Sequence, residues 1–177
     1  LILIAGRRGG KTRAASIAAV KEAMIPNTIG WCCAPTVPKL HRYVIPAIQQ
    51  LIPPDWVESW NVEFGDLRLK NGSLIHMQTL EHPDQGRGQG LDWLWIDEVS
   101  ELSKEHWETI RPSLTERRGV AFFSTSPRSF DWVYDDLWKP AEDGFIIKDD
   151  GIMVPTPQFW GCRYSTSENP IISEEEL

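Results

Sequence analysis

The sequence predicts an α/β domain with a mainly parallel central sheet flanked by helices, and three observations predict it. Apolar runs of strand length alternate with segments of helical pattern along the chain. The first run, Leu1 to Ala5, enters a glycine-rich loop and then an alanine-rich helical stretch. A later run, Leu94-Trp95-Ile96, ends on two carboxylates, Asp97 and Glu98.

The elements follow in order. Leu1 to Ala5 is a buried strand, and a helix runs from Lys11 to about Met24, where Pro26-Asn27 ends it. Ile29 to Ala34 is a second buried strand. Pro35-Thr36 leads into a helix from about Val37 to Leu51, with Pro46 as a kink or restart, and Pro53-Pro54 closes it. Trp60 to Leu80 reads as a hairpin: Val62-Glu63-Phe64 and Leu67 to Lys70 alternate, Asn71-Gly72 turns, and Ser73 to Thr79 returns. Glu81 to Gly90 is a polar, glycine-rich loop before the strand Trp93 to Ile96. Ser103 opens a helix to about Arg111, with Ser103-Lys104-Glu105-His106 a weak form of the capping box. Val120 to Phe123 is a strand closed by Ser124-Thr125-Ser126-Pro127, Asp131 to Trp138 a short helix, Phe145 to Pro157 irregular, and Phe159 to Tyr164 a last strand.

The loop after the first strand reads Gly6-Arg7-Arg8-Gly9-Gly10-Lys11-Thr12. A strand, a glycine-rich loop ending in Gly-Lys-Thr and a helix make up the phosphate-binding loop of nucleoside-triphosphate enzymes. The glycines let backbone N–H groups turn toward phosphate, and the helix N-terminus adds its positive dipole end. In this pattern Lys11 bridges the β- and γ-phosphates and the Thr12 hydroxyl binds Mg²⁺. The first glycine of the consensus falls on Ala5, so Gly6 and Gly9 take over its role.

The strand-end acids divide two tasks. Asp97 holds the metal through water or Thr12, and Glu98 orients and deprotonates the attacking water. Loop and acid strand together specify a P-loop NTPase of the additional-strand, catalytic-glutamate type. Arg7 and Arg8 lie in the phosphate loop, where an arginine reaches the γ-phosphate or stays solvated. Arg87, in Gln85-Gly86-Arg87-Gly88-Gln89-Gly90, projects from between glycines either as a finger toward a neighbouring subunit or as a mobile, solvated side chain. Ser124, Thr125 and Ser126 follow the next strand and suit hydrogen bonds to the γ-phosphate or to water, coupling hydrolysis to the rest of the domain.

The 177 residues suffice for one domain with a sizeable core. A net charge of −7 argues against a protein that coats DNA, though not against a motor that touches it through a few loops. Lys39, Arg42, Arg117, Arg118 and Arg128 are basic positions better read as a solvated face than as phosphate contacts. Cys32, Cys33 and Cys162 lack metal spacing and suit a reducing cytosol. No apolar run is long enough to span a membrane. The chain opens inside a core strand and closes on Ser173-Glu174-Glu175-Glu176-Leu177, the first turn of a helix, so it reads as a segment of a longer protein.

Taken together, these residues resemble the ATPase domain of the large terminase subunit of tailed bacteriophages. The resemblance rests on the arginine-containing loop Gly6 to Thr12, on Cys33-Ala34-Pro35-Thr36, and on Gly86-Arg87-Gly88 followed by Leu94 to Leu102. Ser124-Thr125-Ser126-Pro127 and Ser167-Glu168-Asn169-Pro170-Ile171-Ile172 complete it. It implies ATP and Mg²⁺ as substrate and cofactor, with Glu98, Arg7 and Arg87 catalytic, Gly6 to Thr12 on the phosphates, and Thr12 and Asp97 on the metal. It also implies double-stranded DNA, a portal protein, a procapsid and a small terminase subunit as partners in the host cytoplasm. The protein would form a ring when assembled and be monomeric as an isolated domain. Residues 1–165 would be the ATPase domain, and 166–177 the start of a linker toward a nuclease domain beyond this sequence. Two other readings share Lys11, Asp97 and Glu98: a DNA-dependent ATPase of helicase or recombinase type, and a nucleotide-regulated binding module.

Overall fold

A computed structural model of the chain describes residues 1–6, 9–86, 88–127, 131–147, 153–155 and 159–164. Arg7, Arg8, Arg87 and Arg128 lie outside the described residues, as does the segment 165–177 with the expected domain boundary. The strands are β1 (Ile2–Ala5), β2 (Ile29–Ala34), β3 (Val57–Asn61), β4 (Asp66–Leu69), β5 (Leu74–Thr79), β6 (Trp93–Asp97), β7 (Val120–Thr125), β8 (Phe145–Ile147), β9 (Met153–Pro155) and β10 (Gly161–Tyr164). The α-helices are α1 (Lys11–Ala23), α2 (Val37–Lys39), α3 (Ile45–Gln49), α4 (Lys104–Arg117) and α5 (Lys139–Asp143).

Eight strands form one sheet in the order β10-β1-β7-β6-β2-β5-β4-β3. The six from β10 to β5 are parallel, and β4 and β3 continue the sheet antiparallel. Strand β7 is inserted between β1 and β6, which is the additional strand of the expected fold type. Helices cover both faces. On one, Leu3, Cys32, Ala34, Trp93, Trp95 and Phe122 pack with Ala15, Ala19 and Ala23 of α1 and with Val44, Ile45 and Ile48. On the other, Ile2, Trp31, Cys33, Leu94, Ile96 and Phe123 pack with Ile110 and Leu114 of α4 and with Val133, Leu137 and Trp138. This alternation along β2, β6 and β7 is the period of two expected of strands buried on both sides. Cys32 and Cys33 are free and buried in it, and burial pushes both thiols well above their ordinary range. No described helix is long and apolar enough to cross a membrane.

Several elements differ from the sequence reading, each for a physical reason. The helix around Pro46 is not simply kinked: a π-helical turn, Leu40–Val44, precedes α3. A second π turn, Tyr134–Trp138, precedes Pro140 in α5 and carries that helix to Asp143. Proline lacks an N–H and its ring crowds the carbonyl four residues back, so widening the preceding turn relieves both defects. Helix α4 runs through Pro112 to Arg117 instead of ending near Arg111, because Ile110 and Leu114, one turn apart, are both buried against the sheet. Val62 to Phe64 form a turn rather than strand, with the Phe64 N–H donating to Asn61 Oδ1 at 3.3 Å, so the region is a three-stranded meander. The stretch expected to be irregular contains the antiparallel ribbon β8–β9. Strand β7 extends past Phe123 through Ser124 and Thr125, both buried.

Candidate active site

Parallel strands β1, β7 and β6 end on the same edge of the sheet, and the loops leaving β1 and β6 meet there. Gly6 O accepts the Gly9 N–H at 3.2 Å, closing the loop after β1. Gly10 then sits at φ +77°, a left-handed conformation that costs a side-chain-bearing residue energy, and α1 starts at Lys11. Among the described residues no side chain caps this helix, and its first turn holds no acid. Its free N–H groups and positive dipole end therefore face the site, an arrangement suited to an anion.

The two halves of the site meet through side chains 85 residues apart. The Thr12 hydroxyl lies 3.3 Å from both carboxylate oxygens of Asp97. Lys11 Nζ pairs with Glu98 Oε1 at 3.0 Å, with both side chains largely buried. Asp97 is the last residue of β6, on the face that carries Trp93 and Trp95 and looks toward α1. Glu98 follows at φ +51°, ψ +45°, a left-handed conformation that costs a non-glycine residue about 1–3 kcal/mol. That turn directs the Glu98 carboxylate back across the site to Lys11 and Ser126 instead of onward along the strand.

Strand alternation separates the three hydroxyl residues after Phe123. Ser124 Oγ donates to Asp97 Oδ1 at 2.5 Å and accepts the buried Trp95 indole N–H at 2.9 Å. Ser126 donates its backbone N–H to Glu98 Oε2 at 3.1 Å and its hydroxyl to Oε1 at 3.3 Å. Thr125, between them, points to the opposite face, where its hydroxyl donates to Ser100 Oγ at 2.6 Å. Each acid is thus held by one serine of β7 or its end. Sequence reading did not assign a role to Trp95 or Ser100. Alternation of β6 would have put Trp95 on the face of Asp97, but pairing it with Ser124 requires knowing that β7 is the neighbour.

The acids differ in electrostatics. Burial pushes the Asp97 carboxyl above its ordinary value, and the hydrogen bond from Ser124, the charge of Lys11 and the bond from Thr12 only partly oppose it. Burial also acts upward on Glu98, but the charge and hydrogen bond of Lys11 and the two bonds from Ser126 outweigh it and leave this carboxyl below its ordinary value. Thr12 and Asp97 offer hard oxygen donors at one point, which fits Mg²⁺ with phosphate and water completing its shell. Of the basic positions noted in the sequence, Lys39 is ion-paired with Glu101, and Arg117 with Asp92 at 3.2 Å.

A family model for terminase large subunits, T4likevirus-type, N-terminal, matches residues 2–161. The large terminase subunit of Thermus virus P23-45 is 27% identical over 155 residues, an alignment taking in 73% of this chain and 31% of that protein. The large terminase ATPase domain of Thermus phage P74-26 superposes with a TM-score of 0.72 at 25% identity, over 93% of this chain and 74% of that one. The large terminase of another thermophilic bacteriophage, solved with ADP, gives a TM-score of 0.76 at 14% identity, over 98% of this chain and 42% of that one, a likeness of fold. The chain spans 31% of the length of the curated relatives it matches.

Proposed function

The chain belongs to the family of T4likevirus-type terminase large subunits, in their N-terminal part, and from that membership and the site's geometry we propose that it is an ATP-hydrolysing motor domain that drives double-stranded DNA into a procapsid. The observation that carries the proposal is the meeting of Lys11 with Glu98 and of Thr12 with Asp97. Four residues from two distant loops converge where a helix N-terminus is left open.

Roles follow for the described residues from their positions, and for Arg7, Arg8 and Arg87 from the sequence motif alone. The backbone of Gly6, Gly9 and Gly10 and the N-terminus of α1 cradle the phosphates, with Arg7 and Arg8 in the same loop. Lys11 grips the β- and γ-phosphates once it leaves Glu98. Thr12 and Asp97 would hold Mg²⁺, which would supply positive charge to neutralise the phosphates. Glu98, ionised at neutral pH, accepts a proton from the attacking water. Ser124 and Ser126 tie β7 to the two acids, so a change at either acid is felt along the strand that leads to Pro127 and the helix beyond. Thr125 links the same strand to Ser100 on the opposite face. Arg7 and Arg87 supply positive charge to the transition state, Arg87 from a neighbouring subunit.

The thermophilic-phage terminase solved with ADP was also solved with ATP-γ-S, which supports an adenine nucleotide as the ligand here. The remaining partners follow from the family: a portal protein, a small terminase subunit and further copies of the same subunit arranged as a ring in the host cytoplasm. The isolated domain is monomeric.

The test is steady-state ATP hydrolysis by the full-length subunit and by Glu98→Gln, with and without double-stranded DNA and portal-bearing procapsids. Strong stimulation by DNA with procapsids, lost in the variant, is the expected result. Stimulation by single-stranded DNA alone would overturn it in favour of a helicase, and no hydrolysis in any condition would leave a nucleotide-binding module.

A further inference from the structure

The loop that contains Arg87 is pinned to the sheet on its C-terminal side. Three strands contribute one row of side chains: Trp31 of β2 is in register with His76 of β5, and His76 with Asp66 of β4. Residues in register on neighbouring strands stand side by side on the same face. His76 Nδ1 lies 2.5 Å from Asp66 Oδ1, and the His76 and Trp31 rings meet edge to face with centroids 6.5 Å apart. Gly88 and Gln89 lie against this row. A Cβ on Gly88 would come within 2.9 Å of the Trp31 ring, so only glycine lets the backbone approach so closely. The next residue, Gln89, brings its side-chain amide nitrogen to 3.0 Å from His76 Nε2.

The donor and acceptor types give this chain a direction. An amide nitrogen only donates, so with a neutral ring Gln89 donates to His76 Nε2 and Nδ1–H is donated to Asp66. Asp66 thereby fixes the tautomer and orientation of a ring that would otherwise present either nitrogen. Gln89 and Gly88 are the first two residues after Arg87. Gly88 serves the close approach to Trp31.

We propose that Asp66, His76 and Gln89 are positioning residues, a hydrogen-bonded strut that sets where the Arg87 loop leaves the sheet and so aims its arginine at the nucleotide of a neighbouring copy. The inference rests on the reading of Arg87 as a finger acting between subunits. None of the three touches the chain's own phosphate site; they act through the loop. Displacing a charged group by about 1 Å from its working position costs on the order of 100-fold in rate, so a strut of this kind has leverage over turnover without contributing to binding.

The experiment measures kcat and KM for ATP with the full-length subunit in the DNA- and procapsid-stimulated assembly, in Gln89→Ala, His76→Ala, Arg87→Ala and Gln89→Ala/Arg87→Ala. Nucleotide affinity is measured alongside on the unassembled subunits. Gln89→Ala is expected to lower kcat by about 10- to 100-fold with KM and monomer affinity unchanged. The double variant is expected to be no slower than Arg87→Ala, because a residue that acts only through the arginine has nothing left to position. Asp66→Asn, which keeps an acceptor for Nδ1–H, should retain activity that Asp66→Ala loses. Gln89 is exposed, so its truncation keeps the test informative if His76→Ala fails to fold. Wild-type turnover in Gln89→Ala beside an impaired Arg87→Ala would overturn the strut and leave the finger standing, as would losses that add in the double variant. Wild-type turnover in Arg87→Ala would overturn the finger reading itself and the positioning role with it.

Discussion

Lys11 and Glu98 form an ion pair at 3.0 Å, so the lysine of the phosphate loop neutralises the carboxylate at the end of the acid strand. The pair lies beside the uncapped N-terminus of α1, where the proposed function puts the terminal phosphate of a nucleotide. On the proposed function, Lys11 would trade one anion for another when nucleotide binds, and Glu98 would be released as it does so.

That exchange predicts opposite effects on binding and turnover. Glu98→Gln removes the competitor for Lys11 and a negative charge near the phosphate, so ATP should bind several-fold more tightly. Loss of the base should lower kcat by about 10²- to 10⁴-fold. Lys11→Ala should weaken nucleotide binding and lower turnover by about 100-fold or more. Equilibrium titration with ATP under non-hydrolysing conditions, beside steady-state rates, separates the two effects.

The two acids should respond to pH in opposite senses. Asp97 sits above its ordinary value of 3.8 because it is buried, so its ionised form opposes folding. That penalty is absent in acid and grows as pH rises through the raised value. Asp97→Asn should therefore stabilise the nucleotide-free protein at pH 7 by about 1 kcal/mol, with the gain fading toward acid pH, while ATP hydrolysis is lost. Glu98 sits below its ordinary value of 4.5, so its contribution is present above that value and disappears as pH falls through the lowered one. Urea unfolding of wild type, Asp97→Asn and Glu98→Gln between pH 3 and 8 checks both signs.

Ser124 satisfies the indole N–H of Trp95, a side chain with no exposure, while donating to Asp97. Ser124→Ala strands that N–H and should cost about 1–3 kcal/mol. It also removes the bond that opposes the upward shift of Asp97, so the acid limb of the hydrolysis profile should move to higher pH. Thermal unfolding and a kcat–pH series measure the two consequences independently.

Gly30 lies against the Trp93 ring so closely that an added Cβ would overlap it. Gly30→Ala should cost about 1–3 kcal/mol through overpacking, lowering Tm by about 3–10 °C. Adding Trp93→Leu should recover part of the loss by opening space beside β2. Calorimetry of the single and double variants tests this.

Legibility followed the range of the interactions. The strand–loop–helix junction was readable because its pattern is local: glycines, lysine and threonine fall at the junction itself, and the helix begins at Lys11. Asp97 and Glu98 were readable for the same reason, as acids directly after an apolar strand. The extension of β7 through Thr125 was not, because Ser124 and Thr125 look like turn formers and are held in the strand by distant partners: ladder pairing to Leu3 and Ile4 of β1, and side-chain bonds to Asp97 of β6 and Ser100 beyond it. The π turns at Leu40–Val44 and Tyr134–Trp138 went unread because a proline announces a defect without specifying how the preceding turn absorbs it.

By itself, then, the sequence determined the fold class, the glycine-rich loop that opens a helix and the acids at the end of β6, since each depends on residue types a few positions apart. Tertiary structure decided how they meet. The insertion of β7 between β1 and β6 gives each acid its own serine. The left-handed turn at Glu98 returns its carboxylate to Lys11, and the register of β2, β5 and β4 lines up Trp31, His76 and Asp66 beneath Gln89. Strand order and register are set by which apolar faces pack together across the whole sheet, and no local stretch of sequence contains that information.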